Sequence, residues 1–268
     1  MKYLTKLSQE SILENLNNKD FFKITILDST TSTNSEARIM AENNVPEGTV
    51  IIADKQTAGR GRMGRSFSSP EGCGIYMSII LKPNFSAEKA LLITTAAATS
   101  ISKAIETNTE KNTGIKWVND IYIEDKKVCG ILTESVTDHK TNILKYVILG
   151  IGINITEPKD GYPNEIKNIA GAIFKYGQTP VNFRNELIAE VLNEFLKEYP
   201  YILQKKHLDY YRKKSILIGE KVDIIKLGEI CAEATVIDIN DDYSLSVKYN
   251  DGKTGIINSG EVSVKKKV

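Results

Sequence analysis

Histidine and cysteine are scarce in this chain, with two and three copies among 268 residues. Cys73, Cys129 and Cys231 are odd in number, far apart and without a CxxC pair. That spacing argues against a disulfide framework and for a reducing, cytoplasmic setting. His139 and His207 each stand alone in a polar stretch, so both are expected to be solvated surface residues. With no cluster of ligands, no permanently bound metal is expected. No apolar run reaches the roughly 20 residues that a membrane span requires. The first sixteen residues carry polar side chains throughout and lack the apolar core of a signal peptide. No membrane partner is expected. An excess of either charge is missing too: 35 Lys and Arg face 34 Asp and Glu, for a formal net charge of +1. Any nucleic-acid or anion affinity must therefore come from a local cluster. The pattern GxxxxGK[ST] is also absent, which excludes a Walker-type phosphate loop.

Hydrophobic patterning points to two parts. Leu7–Leu16 reads as a short amphipathic helix, Lys23–Leu27 as a strand, and Asn34 as the cap of a helix over Ser35–Glu42. Val50–Ala53 and the near-continuous apolar run Ile75–Leu81 read as strands, the second buried on both faces. A long helix rich in small residues is expected over Ala87–Glu106. Three strands should follow, Gly114–Ile123, Lys127–Ser135 and Lys145–Ile155, antiparallel because their connections are short. This stacking would bring Asn119, Lys127 and Asn154 onto adjoining strands. Phe183–Tyr199 is an amphipathic helix with Asn182 as its cap, and helix continues to about Lys214. Beyond Gly219 come short strands at Val222–Ile225, Ala234–Ile239, Leu245–Tyr249 and Thr254–Ile257. They suggest a small closed barrel, and the final Lys265-Lys266-Lys267 a solvated tail. The expected division is 1–215 and 216–268.

Three segments carry chemistry. Gly59-Arg60-Gly61-Arg62-Met63-Gly64-Arg65 combines a backbone free to wrap a ligand with forked cationic donors for phosphate or carboxylate. Alone, it could equally be a flexible basic loop or an RNA contact. Lys116-Trp117-Val118-Asn119-Asp120 leads into Lys127-Val128-Cys129-Gly130-Ile131-Leu132. Polar heads on such apolar strands are costly unless they face a polar cleft. A structural Lys116–Asp120 ion pair and a hairpin-edge Lys127 are the bland readings. Gly150-Ile151-Gly152-Ile153-Asn154 places glycines inside a strand, where they mark close approach of a ligand or of another element.

In this order the three segments resemble the bacterial biotin protein ligases, together with Ser32-Thr33-Asn34 and the stretch from Gln56 to Ser69-Pro70. The likeness runs from about Ser32 to Asn154. It implies an α+β fold: a mixed-sheet catalytic domain resembling class II aminoacyl-tRNA synthetases, followed by an SH3-like barrel. It implies ATP-dependent attachment of biotin to a lysine of a biotin carboxyl carrier protein, through biotinyl-5′-AMP, with pyrophosphate released. ATP, Mg²⁺ and biotin are the implied small molecules. By resemblance, Ser32, Thr33 and Gln56, with backbone groups of Gly59 and Arg60, would hydrogen-bond the ureido end of biotin. Gly150 and Ile151 would line its bicycle, and Gly130 and Leu132 would also contact biotin. Lys127 and Arg62 would act catalytically at the biotin carboxylate and α-phosphate. Arg62, Arg65, Phe67, Asn119 and Asn154 would surround the nucleotide, with Asp120 near the metal or the acceptor lysine.

The chain departs from the family pattern at Met63, often arginine, at Phe67, often tryptophan, and at Val118, usually proline. Met63 removes one cation from the loop, whereas Phe67 keeps an aromatic ring and Val118 loses rigidity but no chemical group. Only about 22 residues precede the first strand, too few for the winged-helix domain of the repressor members. DNA is therefore not an expected partner, and monomer and homodimer both stay open. Two competing readings are acyl transfer with lipoate or octanoate, and an RNA-binding module. Gln56 and the full Gly/Arg loop favour biotin over the first, and near-neutral charge disfavours the second.

Overall fold

A computed structural model describes residues 6–138, 140–226, 228–259 and 262–266. His139 and Lys267 lie outside the described residues. Isoleucine- and valine-rich segments assemble a seven-stranded mixed sheet. Its strands are β1 (Lys23–Leu27), β2 (Thr49–Ala53), β3 (Gly74–Leu81), β4 (Gly114–Lys116), β5 (Asp120–Ile123), β6 (Lys126–Thr137) and β7 (Leu144–Asn154). The spatial order is β1-β2-β3-β7-β6-β5-β4, parallel only between β1 and β2. β3 lies in the interior of this order and all eight of its residues are buried, as its unbroken apolar run requires.

Alternation along β3 and β7 divides the core. Met77, Ile79, Val147, Leu149 and Ile151 join the main cluster with α3 (Leu91–Asn108) and α4 (Phe183–Glu198). Ile80 and Ile148, from the other face, pack with Ala37 and Ala41 of α2 (Thr33–Glu42). α2 covers only part of that face, and the rest opens as the cleft described below. Ala96, Ala97 and Ala98 of α3 are fully buried, so its small residues do allow close packing.

Several elements differ from expectation. The strand expected over 114–123 splits in two, because the chain turns back on itself at Trp117-Val118-Asn119, where long-range bonds hold it. Trp117 Nε1 donates to Tyr243 O at 2.8 Å, Tyr211 Oη to Val118 O at 3.0 Å, and Ile131 N to Asn119 O at 3.0 Å. β4 then folds back on β5, pairing Lys116 with Asp120. The connection between β5 and β6 is short, as expected: Glu124 and Asp125 have φ of 48° and 60°, the left-handed pair of a two-residue hairpin. Ser32 rather than Asn34 occupies the cap position of α2. Asn182 sits at the cap of α4, but its side-chain oxygen accepts from Ser11 and Asn185, not from the helix backbone.

After α5 (Leu208–Lys213) the chain forms a five-stranded antiparallel sheet: β8 (Lys221–Lys226), β9 (Glu229–Ile239), β10 (Leu245–Tyr249), β11 (Thr254–Ile257) and β12 (Val262–Lys266). Its order is β11-β10-β9-β8-β12. Sequence reasoning missed β12. Lys265 and Lys266, read as tail, pair with Asp223 and Val222, and Val264 is buried.

His207 is also corrected. Its polar sequence neighbours hide a side chain only 1% exposed, stacked on Tyr243 with ring centroids 5.5 Å apart. Its Nε2 lies 2.7 Å from Tyr243 Oη and 3.1 Å from Thr95 Oγ1, which ties α3 to the C-terminal sheet. Burial pushes the imidazolium pKa down to about 4, with Glu198 raising and Lys103 lowering it. Between the unfolded value of about 6.5 and the folded value, the unfolded chain binds a proton that the native state refuses. Stability should therefore fall as pH drops through this window, by ~3 kcal/mol at its lower end. Urea unfolding of the protein and of His207→Gln at pH 7 and pH 4.5 checks this. The variant should lose less stability on acidification than the parent.

Candidate active site

Backbone close approach defines the floor of the cleft. Gly130 on β6 pairs with Gly152 on β7, and Gly150 pairs with Leu132 and with Ser78 of β3. A Cβ on Gly152 would stand 2.6 Å from the Phe67 ring, and one on Gly150 would collide with Asn34 Oδ1. At Gly130 it would meet Lys127 Nζ at 3.2 Å and the Phe67 ring at 3.3 Å. The three glycines thus leave room for side chains lying flat across the sheet.

One wall is a chain of hydrogen bonds among small polar groups. Thr33 N donates to Gln56 Oε1 at 2.9 Å, and Gln56 Nε2 donates to Ser69 Oγ at 2.8 Å. Ser78 Oγ, fully buried, lies 2.8 Å from Thr33 Oγ1 and 2.7 Å from Asn34 Oδ1. These bonds fix the orientation of the Gln56 amide, which has a second hydrogen for a ligand. Buried polar readers of this type discriminate by leaving a mismatched ligand's partners unsatisfied.

The Gly/Arg segment forms a lid. Phe67 N donates to Gly59 O at 2.9 Å and Gly61 N to Arg65 O at 2.7 Å, making a short hairpin. At its tip Met63 and Gly64 turn with φ of 55° and 73°. From this hairpin Phe67 covers the glycine floor, Arg60 reaches Glu134 at 3.0 Å, and Arg62 Nη1 donates to Asn119 Oδ1 at 2.8 Å. Asn119 Nδ2 donates to Asp120 Oδ1 at 3.0 Å, and Asp120 Oδ1 lies 2.7 Å from Lys127 Nζ. Arg62, Asn119, Asp120 and Lys127 therefore form one continuous polar line at the cleft. Burial lowers the Arg62 pKa, opposed by Asp120. A guanidinium so desolvated is poised to gain from an anion in the cleft. Asp120 pairs with Lys127 here, whereas Lys116 lies 5.7 Å from the Tyr122 ring centroid.

Of the residues singled out from sequence, Ser32, Thr33, Gln56, Arg60, Arg62 and Phe67 line this cleft. So do Asn119, Lys127, Gly130, Leu132, Gly150 and Ile151. Three do not. Gly59 is buried behind the wall, where a Cβ would strike Phe67 O, and Arg65 is exposed. Asn154 is buried and donates to Gly171 O at 2.9 Å, pinning the connection that follows β7. Asn34, Gly61, Ile131 and Gly152 also line the cleft. Asn34 was legible as a polar residue but was assigned to a cap. Gly152 stands in the glycine motif itself. Among the described residues, no group of three His, Cys, Asp or Glu side chains could hold a metal ion. Among the same residues, no helix is long and apolar enough to cross a membrane.

Residues 25–154 match the Biotin/lipoate A/B protein ligase family. The bifunctional ligase/repressor BirA of Bacillus spizizenii is 42% identical over 172 residues, covering 64% of this chain and 52% of that protein. The chain thus spans about half the length of that relative. Biotin protein ligase from Aquifex aeolicus, in a structure with biotin and ATP, superposes with a TM-score of 0.75 at 29% identity, covering 91% of this chain and 99% of that one. A variant of the same Aquifex aeolicus enzyme in complex with biotin is 30% identical, with a TM-score of 0.74 and coverage of 92% and 100%. With the cleft residues in one place and a 30% identical relative matched over its whole length, the chain belongs to the biotin protein ligase family.

Proposed function

We propose that this chain activates biotin with ATP and transfers it to a lysine of a biotin carboxyl carrier protein. The observation that carries the reading is the meeting, on one glycine floor, of a hydrogen-bonded polar wall, an arginine lid and Lys127. Ser32, Thr33 and Gln56 suit the ureido group, and Gly130, Leu132, Gly150 and Ile151 suit the bicycle. In the first step the biotin carboxylate attacks the α-phosphorus of ATP, the bond to pyrophosphate breaks, and biotinyl-5′-AMP forms. Lys127 and Arg62 stabilise charge that grows on the phosphate oxygens. Asn119 and Phe67 would flank the nucleotide, which enters as its magnesium complex, and Asp120, beside Lys127, would be a carboxylate available to that ion. In the second step a neutral lysine amine of the carrier attacks the biotinyl carbonyl and AMP leaves. No protein nucleophile is needed.

In this reading residues 1–215 form the catalytic domain, with a sheet of the class II aminoacyl-tRNA synthetase type, and 216–268 an SH3-like barrel. The antiparallel order of the five C-terminal strands supports the second part. Arg65, beside Arg62 on an exposed part of the lid, is assigned to phosphate, and Gly59 and Asn154 to support of wall and floor. The three free cysteines suit the cytoplasm. A net charge of +1 gives no reason to add a nucleic-acid partner. Because the family description covers both biotin and lipoate, the test is pyrophosphate release from ATP with each acid. Release with biotin and none with lipoate is expected, and the reverse preference overturns the assignment.

A further inference from the structure

Glu134 on β6 was not singled out from sequence, yet its carboxylate gathers donors from two separate parts of the cleft. Oε2 accepts from Asn34 Nδ2 at 2.8 Å. Oε1 accepts from Arg38 Nη2 at 3.1 Å and from Arg60 Nη2 at 3.0 Å. Asn34 and Arg38 belong to α2, Arg60 to the lid hairpin. The Glu134 side chain is 15% exposed, against 41% and 47% for the two arginines. A carboxylate so sheltered is costly unless its oxygens are engaged, and here both are.

We infer that Glu134 is a positioning residue that seats the lid over the cleft through Arg60. The inference rests on the ligase reading for its consequence, retention of the activated intermediate, but not for its geometry. Glu134 pairs with Ile148 of β7 in the large sheet, which fixes its backbone. Arg62, two residues from Arg60, reaches Asn119 on the other side of the lid. The hairpin is therefore held at two places, and one of them involves no reacting group. Division of labour follows: Arg62 is placed to meet an anion, and Arg60 holds the lid that carries it. The same carboxylate fixes Asn34, so wall and lid are set from one residue.

Glu134→Gln removes the acceptor that Arg60 and Arg38 share, because the glutamine oxygen can still accept from Asn34 while its NH₂ nitrogen cannot accept from arginine. Arg60→Ala removes the contact from the other side and leaves Arg38 to balance Glu134. The readout is tryptic cleavage after Arg65, an exposed site that every variant keeps, in ligand-free protein. Each single variant should be cut about 3–10-fold faster, as expected for a half-exposed charged contact. The double variant should be no faster than the quicker single, and the urea midpoint should stay put in all. In the presence of ATP and biotin, adenylate escape should rise by a similar factor. Parental cleavage rates in Glu134→Gln, or effects that multiply in the double variant, overturn the inference. Ligand-free cleavage does not depend on the chemistry. If the parent protein makes no adenylate, the ligase reading falls while the lid seat is still decided.

Discussion

Lys127→Ala is expected to slow pyrophosphate release with biotin and ATP by roughly 10²–10³-fold, equivalent to ~3–4 kcal/mol of lost transition-state stabilisation. The ammonium stands 3.2 Å from where a Cβ on Gly130 would lie, directly above the floor. Its backbone is braced on both sides, Lys127 N donating to Ile169 O at 2.8 Å and Gly171 N to Lys127 O at 2.9 Å. Truncation at Cβ leaves that bracing intact. Asp120 loses its lysine but keeps the donor from Asn119, so the fold should survive. Circular dichroism and the urea midpoint check this, and single-turnover kinetics locate the loss in the adenylation step. Near-parental pyrophosphate release from a folded variant would remove Lys127 from the chemistry.

Arg62→Gly should produce a leaky enzyme rather than a dead one. Biotinyl-5′-AMP is a mixed anhydride that acylates free amines once released, so selectivity depends on holding it under a closed lid. Arg62 is the lid arginine that contacts Asn119, beside the Asp120–Lys127 pair. A hydrogen bond to a charged group contributes ~1.5–3 kcal/mol, so escape should quicken by ~10–150-fold. Glycine also enlarges the set of open lid conformations in a hairpin whose tip already carries Gly64. Adenylation should continue in part, because Lys127 remains. Incubation with ATP, biotin and an unrelated protein such as albumin reads out the effect. Heavy labelling of the bystander is the expected result, whereas a variant that stays selective has no latch at this position.

Local sequence carried a good deal of this architecture, and its failures have physical causes. The β3 run and the glycine motif of β7 were legible because burial on both faces and missing side chains both leave marks in sequence. The break at Trp117-Val118-Asn119 was not, because its partners Tyr211 and Tyr243 lie about a hundred residues away. His207 failed for the same reason: its polar neighbours are local, and the Thr95 and Tyr243 oxygens that make its burial tolerable are not. Asn34 illustrates competition between roles. A helix start offers a cap reading for any asparagine, yet this side chain is recruited across the cleft by Ser78 and Glu134. Glu134 itself was invisible, since one acidic residue on a strand reads as solvent-facing until two arginines converge on it. β12 was hidden by its lysines, which sit on a strand paired with β8.

The central claim is that the cleft makes biotinyl-5′-AMP and delivers it to a carrier lysine. The direct measurement is incubation of the purified chain with ATP, magnesium, biotin and a biotin carboxyl carrier domain, followed by intact-mass and peptide analysis of the carrier. The account predicts one biotinyl group on a single carrier lysine, with AMP and pyrophosphate formed in equal amounts and no labelling when ATP is left out. A carrier that stays unmodified while the chain remains folded, or that gains a lipoyl or octanoyl group instead when those acids are supplied, would contradict it.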